Sequence, residues 1–237
     1  MRKLARLVTV DTGAANDGIL LSDSRFAELA VGATSVRLRK GEALYRAGEP
    51  AALLYQITYG GIRTLMPLPQ GGRAVTAFHA AGDVIGLISA DRYTETAEAT
   101  APTLVRAVPH ESLDLLLRTS PAAASRLIAL AAVELAAKAQ QVALLSRGDA
   151  LGRIALFVRA MAEETRAAGQ PGKEVRLWMS RTDIARYVGL STEAVSRGFR
   201  ALSERGIILF RSRRRLDLLD PEQLDEIIAN GGRKKRS

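Results

Sequence analysis

The chain contains no cysteine. Disulfides, thiolate zinc sites and cysteine-ligated iron–sulfur clusters are therefore excluded, and the lack of disulfides fits a cytoplasmic protein. Histidine is nearly absent, with His79 and His110 the only two in 237 residues. An enzyme reading would set His79 or His110 to work with Asp83 or Glu111, but no nucleophile–base spacing or metal-ligand cluster supports it. No apolar run approaches the length of a membrane span, and the N-terminus lacks a signal-peptide core. No basic amphipathic helix of the membrane-surface kind is evident either.

What is present is positive charge, unevenly placed. The formal net charge is +9, and residues 148–237 hold 18 Lys/Arg against 12 Asp/Glu. The preceding 147 residues hold 16 against 13. An excess concentrated in the smaller C-terminal part points to a polyanion there, and nucleic acid ranks ahead of a membrane surface.

The stretch Ser180–Gly206 reads as two short helices joined by a tight turn at Gly189-Leu190. Ser180 caps the first helix and Ser191 the second, because a serine hydroxyl satisfies a free N–H at a helix start. Ile184, Tyr187 and Val188 give the first helix an apolar side; Val195, Phe199 and Leu202 do so for the second. Glu193, Ser196, Arg197 and Arg200 share another face of the second helix at i, i+3, i+4 and i+7. An acceptor, a hydroxyl and two guanidinium groups suit the base edges and phosphates of a DNA major groove. A solvated helix face would show the same spacing. The capped helices, the glycine turn and the basic hairpin that follows favour a helix-turn-helix.

Along the rest of the chain, residues 1–24 show no sustained period, and Arg25–Ala30 reads as a short helix. Between Val36 and Val108 strand-length runs are broken by glycine turns: Val36–Leu38, Ala43–Tyr45, Leu53–Thr58, Gly61–Met66, Ala74–His79 and Leu104–Val108. Such spacing indicates an antiparallel roll or sandwich. Pro121–Ser146 is a long helix with Ile128, Ala131, Leu135, Val142 and Leu145 near an a/d stripe, interrupted by Lys138. Leu127, Leu130 and Val133 lie off that stripe, placed to pack on the roll. Asp149 caps a helix over Ala150–Arg166, and Glu174–Met179 reads as a strand. Ile207–Phe210 and Leu216–Leu219 form a wing whose turn carries Arg211, Arg213, Arg214 and Arg215, suited to phosphate. Asp220-Pro221 starts a last helix, and residues 231–237 are a basic tail.

The runs K-G-E-A-L-Y-R-A-G-E-P-A (Lys40–Ala51), L-Y-Q-I-T-Y-G-G-I-R-T (Leu54–Thr64) and A-G-D-V-I-G-L (Ala81–Leu87) resemble the cyclic-nucleotide-binding β-roll. Joined to the helix-turn-helix, they resemble the bacterial CRP/FNR family of transcription regulators from about Arg25 to Asp220. The resemblance implies an α+β fold: a β-roll over residues 25–120, a dimerisation helix over 121–147 and a winged helix-turn-helix over 148–230. It also implies a homodimer on double-stranded DNA that works with RNA polymerase.

Cyclic-nucleotide binding in that family needs a glutamate after the G-D-x-I-G turn and an arginine for the cyclic phosphate. Leu87 stands at the first position, and Glu95, followed by Thr96, at the second. With Gly82, Asp83 and Gly86, these form a degenerate effector pocket in which a carboxylate would repel phosphate. No cofactor is expected; haem on a histidine is the alternative, as in a ligand-gated regulator of the same fold. The branch resembled is FixK-like, free of clusters and concerned with microaerobic, respiratory or nitrogen-related genes.

The run E-A-V-S-R (Glu193–Arg197) matches the E-x-x-S-R pattern of the FNR/FixK branch. The cyclic-AMP receptor branch has glycine in place of Ser196 and arginine in place of Thr192. By the resemblance, Arg197 reads guanine, Glu193 accepts from cytosine and Ser196 helps select T·A, giving a TTGA-type palindrome bound by an activator. Ser180, Arg181, Ser191, Thr192, Arg200 and the four wing arginines are expected to support that contact or meet phosphate.

Overall fold

A computed structural model describes residues 33–87, 91–167 and 172–230. The N-terminal segment, the helix expected over Arg25–Ala30 and the basic tail lie outside them. The chain forms two compact units that part between Leu135 and Ala136.

The first unit is built on eight strands: β1 (Thr34–Leu38), β2 (Ala43–Tyr45), β3 (Leu53–Tyr59), β4 (Gly61–Pro67), β5 (Arg73–Ala80), β6 (Val84–Ile85), β7 (Thr96–Ala99) and β8 (Thr103–Pro109). They form two antiparallel four-stranded sheets, ordered β1-β8-β3-β6 and β2-β7-β4-β5. Alternating side chains from both fill the space between them, with Ile57, Ile62, Ala97 and Val105 fully buried. Six of the strands coincide with the expected runs.

Three elements of this unit were not expected: β6, β7 and helix α1 (His110–Thr119). β6 is two residues long, and β7 is T-A-E-A, with Thr96 its only branched residue and no aromatic to mark a strand. β7 is held from its neighbours instead. Glu98 accepts hydrogen bonds from Arg63, at 2.9 Å, and from Arg73. Burial would raise its pKa, but the two guanidinium groups hold the carboxyl below the usual range. α1 begins after Pro109 with no side-chain cap, so the usual start signal is missing.

Helix α2 (Pro121–Leu145) starts with the Ser120 hydroxyl accepting from the Ala123 N–H. Within the first unit Leu127 and Leu130 pack with Leu54, Val108, Leu113 and Leu116, as their off-stripe positions predict. The structure corrects one expectation: by length and composition α2 could cross a bilayer, with a mean hydropathy of 1.5. Alanine is the reason, since it raises hydropathy without forming the long bulky run that signals a span. Glu134 and Lys138 near its middle, expensive in hydrocarbon, favour a helix packed on protein.

The second unit holds the end of α2, α3 (Ala150–Ala167), β9 (Glu174–Arg176), α4 (Arg181–Val188), α5 (Thr192–Glu204), β10 (Ile208–Ser212), β11 (Arg215–Leu218) and α6 (Pro221–Asn230). Its sheet is ordered β10-β11-β9. Ile154, Phe157, Val158, Val188, Val195, Leu202 and Leu216 are fully buried and form its core. Each such side chain contributes about 1.5–3 kcal/mol on leaving water. α6 starts where Asp220-Pro221 predicts, with Asp220 Oδ1 accepting from the Gln223 N–H at 2.9 Å. β9 is shorter than its pattern suggests, ending at Arg176 where the Leu177 N–H turns to the Arg214 carbonyl.

Candidate nucleic-acid interface

α4 and α5 are fixed by their ends. Ser180 and Asp183 form a capping box: the Ser180 hydroxyl accepts from the Asp183 N–H at 3.1 Å, and the Asp183 carboxylate accepts from the Ser180 N–H at 3.2 Å. α4 closes at Gly189, whose φ of 65° is left-handed. Arg153, on α3, donates to the Val188 and Gly189 carbonyls at 3.2 Å, satisfying the free acceptors at the end of α4. α5 then starts with Ser191 accepting from the Ala194 N–H at 3.1 Å. The turn between the helices is thus tied at both ends and from behind.

α5 buries Val195, Gly198, Phe199 and Leu202. That leaves Glu193, Ser196, Arg197 and Arg200 together on the exposed side, as their spacing predicts. Hydrogen bonds at the helix start, from the Glu193 N–H and the Ser191 hydroxyl, with a smaller contribution from Arg197, hold the Glu193 carboxyl below its ordinary range. An exposed carboxylate of this kind is ionised at neutral pH and can accept hydrogen bonds. The Ser196 hydroxyl donates back to the Thr192 carbonyl at 2.9 Å, which leaves its lone pairs as acceptors. Arg197 and Arg200 make no ion pair among the described residues.

Arg181, expected among the phosphate contacts, lies over the rings of Phe199 and Phe210, 3.9 and 4.9 Å from their centroids. Burial lowers its pKa. The two rings meet edge to face at 5.5 Å, so one guanidinium joins α4, α5 and β10. No feature of the sequence indicated this, because the three residues are far apart in the chain.

The wing differs from its expected form. Its strands run farther toward the tip, so Arg211 and Arg215 lie on strands and only Arg213 and Arg214 form the turn. Arg211 is ion-paired to Asp217 at 2.7 Å. Arg213, Arg214 and Arg215 are exposed and make no ion pair among the described residues.

On α2, Ile128, Leu135 and Val142 recur every seven residues and are 69%, 70% and 64% exposed. Ala131 is half-buried. Leu145 is turned partly toward the second unit's own fold, where its Cδ2 would lie 2.9 Å from a side chain added at Gly189.

The residues expected to form a degenerate effector pocket do not all share one site. Gly86 and Glu95 line one small cleft with Tyr45, Thr64, His79, Ile85, Tyr93, Thr94 and Glu134, enclosing ≈ 40 Å³. Leu87 instead packs toward Leu54, Leu113 and Leu127. Gly82 and Asp83 form a structural turn, with Asp83 Oδ2 accepting from the Ala80 N–H at 2.7 Å. Thr96 accepts from the Ala47 N–H at 3.1 Å. Burial, then the nearby Glu95 carboxylate, push the Tyr45 phenol upward. His79 is buried 3.5 Å from the Thr64 hydroxyl, and His110 starts α1. Among the described residues no group of three His, Cys, Asp or Glu could hold a metal.

Residues 35–120 match the cyclic nucleotide-binding domain family and residues 152–227 the Crp-like helix-turn-helix domain family. The chain is 31% identical over 195 residues to electron transport regulator A of Shewanella oneidensis, covering 81% of this chain and 78% of that one. It is 34% identical to the transcriptional activator protein anr of Pseudomonas aeruginosa, covering 72% and 71%. The structure of FixK2 from Bradyrhizobium japonicum superposes with a TM-score of 0.75 at 36% identity, covering 82% of this chain and 96% of that one. These relatives are transcription regulators rather than enzymes. With its roll, capped helix pair and basic wing, the chain belongs to the CRP/FNR family of DNA-binding transcription regulators.

Proposed function

We propose that this regulator binds a TTGA-type palindrome as a homodimer, through the exposed face of α5. The observation that carries the reading is the side-by-side exposure of Glu193, Ser196, Arg197 and Arg200 on one face of α5. Arg197 pairs with guanine, Glu193 accepts from the cytosine amino group, and Ser196 accepts from the neighbouring base pair. Arg200, Arg213, Arg214 and Arg215 meet phosphate, while Ser180 and Ser191 serve mainly to fix the helix starts and the Thr192 carbonyl holds the Ser196 hydroxyl. Ile128, Leu135 and Val142, one residue per heptad, form the seam to a second copy. The two-fold so formed matches half-sites about 34–36 Å apart.

The protein acts in the cytoplasm as an activator that engages RNA polymerase at respiratory, microaerobic or nitrogen-related promoters. Support comes from its similarity to the anr activator and to FixK2. No cyclic nucleotide or other cofactor is needed. A cyclic phosphate in the cleft would meet Glu95 and Glu134, and Leu87 supplies no ribose acceptor.

The test is a titration of the full chain against a fluorescent TTGA palindrome and a scrambled duplex at fixed salt. Arg197→Ala is expected to lose about 1–3 kcal/mol of discrimination. Retention of the full preference would show that another face reads the bases.

A further inference from the structure

The three-stranded sheet of the second unit carries a row of donors that runs past the wing tip. Side chains directly opposite on antiparallel strands share a face, with Cβ atoms about 4.5–5.5 Å apart. Ser212 of β10 stands opposite Arg215 of β11, and Arg215 stands opposite Arg176 of β9. All three are exposed, so a hydroxyl and two guanidinium groups cross the solvent face in one line. Arg176 belongs to neither the helix pair nor the hairpin, and only the sheet brings it beside Arg215.

Like charges placed directly opposite on neighbouring strands repel, so the row costs the free protein stability. The adjoining row repeats the pattern with the other sign, Asp217 facing Glu174. Asp217 is fully engaged by Arg211, whose Nε and Nη2 reach its Oδ2 at 2.8 and 2.7 Å. Glu174 meets Arg176 through Nε alone, at 3.0 Å, and both side chains are well exposed. A surface pair of this kind is weak, and a guanidinium has five N–H donors. Arg176 thus keeps its terminal nitrogens for a second acceptor while Glu174 aims the group. Ser212 is prepared in the same sense, because its oxygen accepts from the Arg214 N–H at 3.2 Å and its O–H points elsewhere to donate. What the row lacks is an anionic acceptor, and phosphate oxygens supply one.

The order of the sheet sets where such a contact would fall. β10 is the strand that meets α5, with Phe210 against Phe199, and β9 lies on the far side of β11 from it. Two strand spacings carry Arg176 about 10 Å farther from α5 than β10. Building on the reading as a DNA-binding regulator, we propose that Ser212, Arg215 and Arg176 form one phosphate-binding row, along which the DNA backbone crosses the sheet from the wing to β9. The row continues the charge of Arg213 and Arg214, which suits an extended duplex better than a small free anion. Arg176 is then a direct DNA ligand supplied by a third strand, and Glu174 is its positioning residue. Because the row meets backbone rather than base edges, it adds affinity without sequence preference.

The test titrates the full chain against the TTGA palindrome and a scrambled duplex between about 50 and 200 mM salt, with thermal unfolding recorded in parallel. Arg176→Gln is expected to weaken both duplexes alike and to flatten the slope of log affinity against log salt by about 0.9 for each copy bound. Arg176→Lys, which keeps the charge, is expected to keep the slope. A palindrome scanned with single neutral methylphosphonate linkages then locates the contact: at least one linkage weakens wild type and leaves Arg176→Gln unaffected. An Arg176→Gln protein with the wild-type slope would overturn the proposal, whether or not its stability falls. So would a variant that senses every linkage as wild type does. Wild type that binds both duplexes equally is a separate outcome: it sinks the base reading by α5, and the scan still decides the row.

Discussion

A side chain added at Gly198 would place its first carbon 2.1 Å from Ile154 Cδ1, because α5 crosses α3 with only a hydrogen atom between them. Ile154 is fully buried and has little room to yield. Gly198→Ala should therefore destabilise the second unit by about 1–3 kcal/mol, although alanine in a helix is intrinsically favoured over glycine. Ile154→Val removes the obstructing carbon at a cost of about 0.5–1.5 kcal/mol on its own. The double variant should then be more stable than the two single losses sum to. A urea-unfolding cycle reads this directly, and strict additivity would refute the close-crossing account.

Arg181→Lys tests the stacked guanidinium. Lysine keeps the charge but not the plane that covers Phe199 and Phe210, so the expected loss of stability is about 1 kcal/mol. If the residue acts mainly as a brace, affinity for TTGA and scrambled duplexes should fall together and the salt dependence should stay unchanged. A salt slope flattened by one phosphate contact would identify it as a direct phosphate ligand.

Glu164, on α3, has Oε2 buried without a hydrogen-bond partner, and burial pushes its carboxyl up to about 8. The folded state therefore holds this proton over a range where the unfolded chain, ordinary at 4.5, has released it. Stability from this group is complete below the unfolded value and is lost as pH rises toward 8, by an amount on the order of a few kcal/mol. Glu164→Gln should flatten the decline between about pH 5 and pH 8 in unfolding experiments. Parallel curves for the two proteins would mean that the carboxyl is solvated in the folded state.

The seam on α2 is tested by charge. Leu135→Glu places a carboxylate at the centre of the exposed heptad stripe, where pairing with a second copy would bury it. Light scattering should show wild type at twice the 25.5 kDa chain mass and the variant at that mass. A variant that stays dimeric would move the interface away from Ile128, Leu135 and Val142.

Much of the fold was legible where local chemistry decides it. Ser180 and Ser191 announced two helix starts, Gly189 the turn between them and Pro221 the last helix, because a cap or a left-handed residue acts on its immediate neighbours. The reading face was legible for the same reason, since Glu193, Ser196, Arg197 and Arg200 follow one helical period. Elements and contacts fixed from a distance were not. β7 is defined by its pairing with β2 and β4, with Glu98 held by Arg63 and Arg73, and α1 starts without a cap. The stacking of Tyr45 on Tyr93, and of Arg181 on Phe199 and Phe210, joins segments brought together only by the tertiary fold.

The pairing of Arg211 with Asp217 bears on how the wing would grip a polyanion. A cation already neutralised within its own hairpin displaces few condensed counterions when DNA arrives. Each phosphate neutralised by a free cation changes the slope of log affinity against log salt by about −0.9. On the proposed reading, the wing then presents three free charges rather than four, Arg213, Arg214 and Arg215. Asp217 sets that number and, by holding Arg211 along the strand, leaves the tip to Arg213, Arg214 and Arg215.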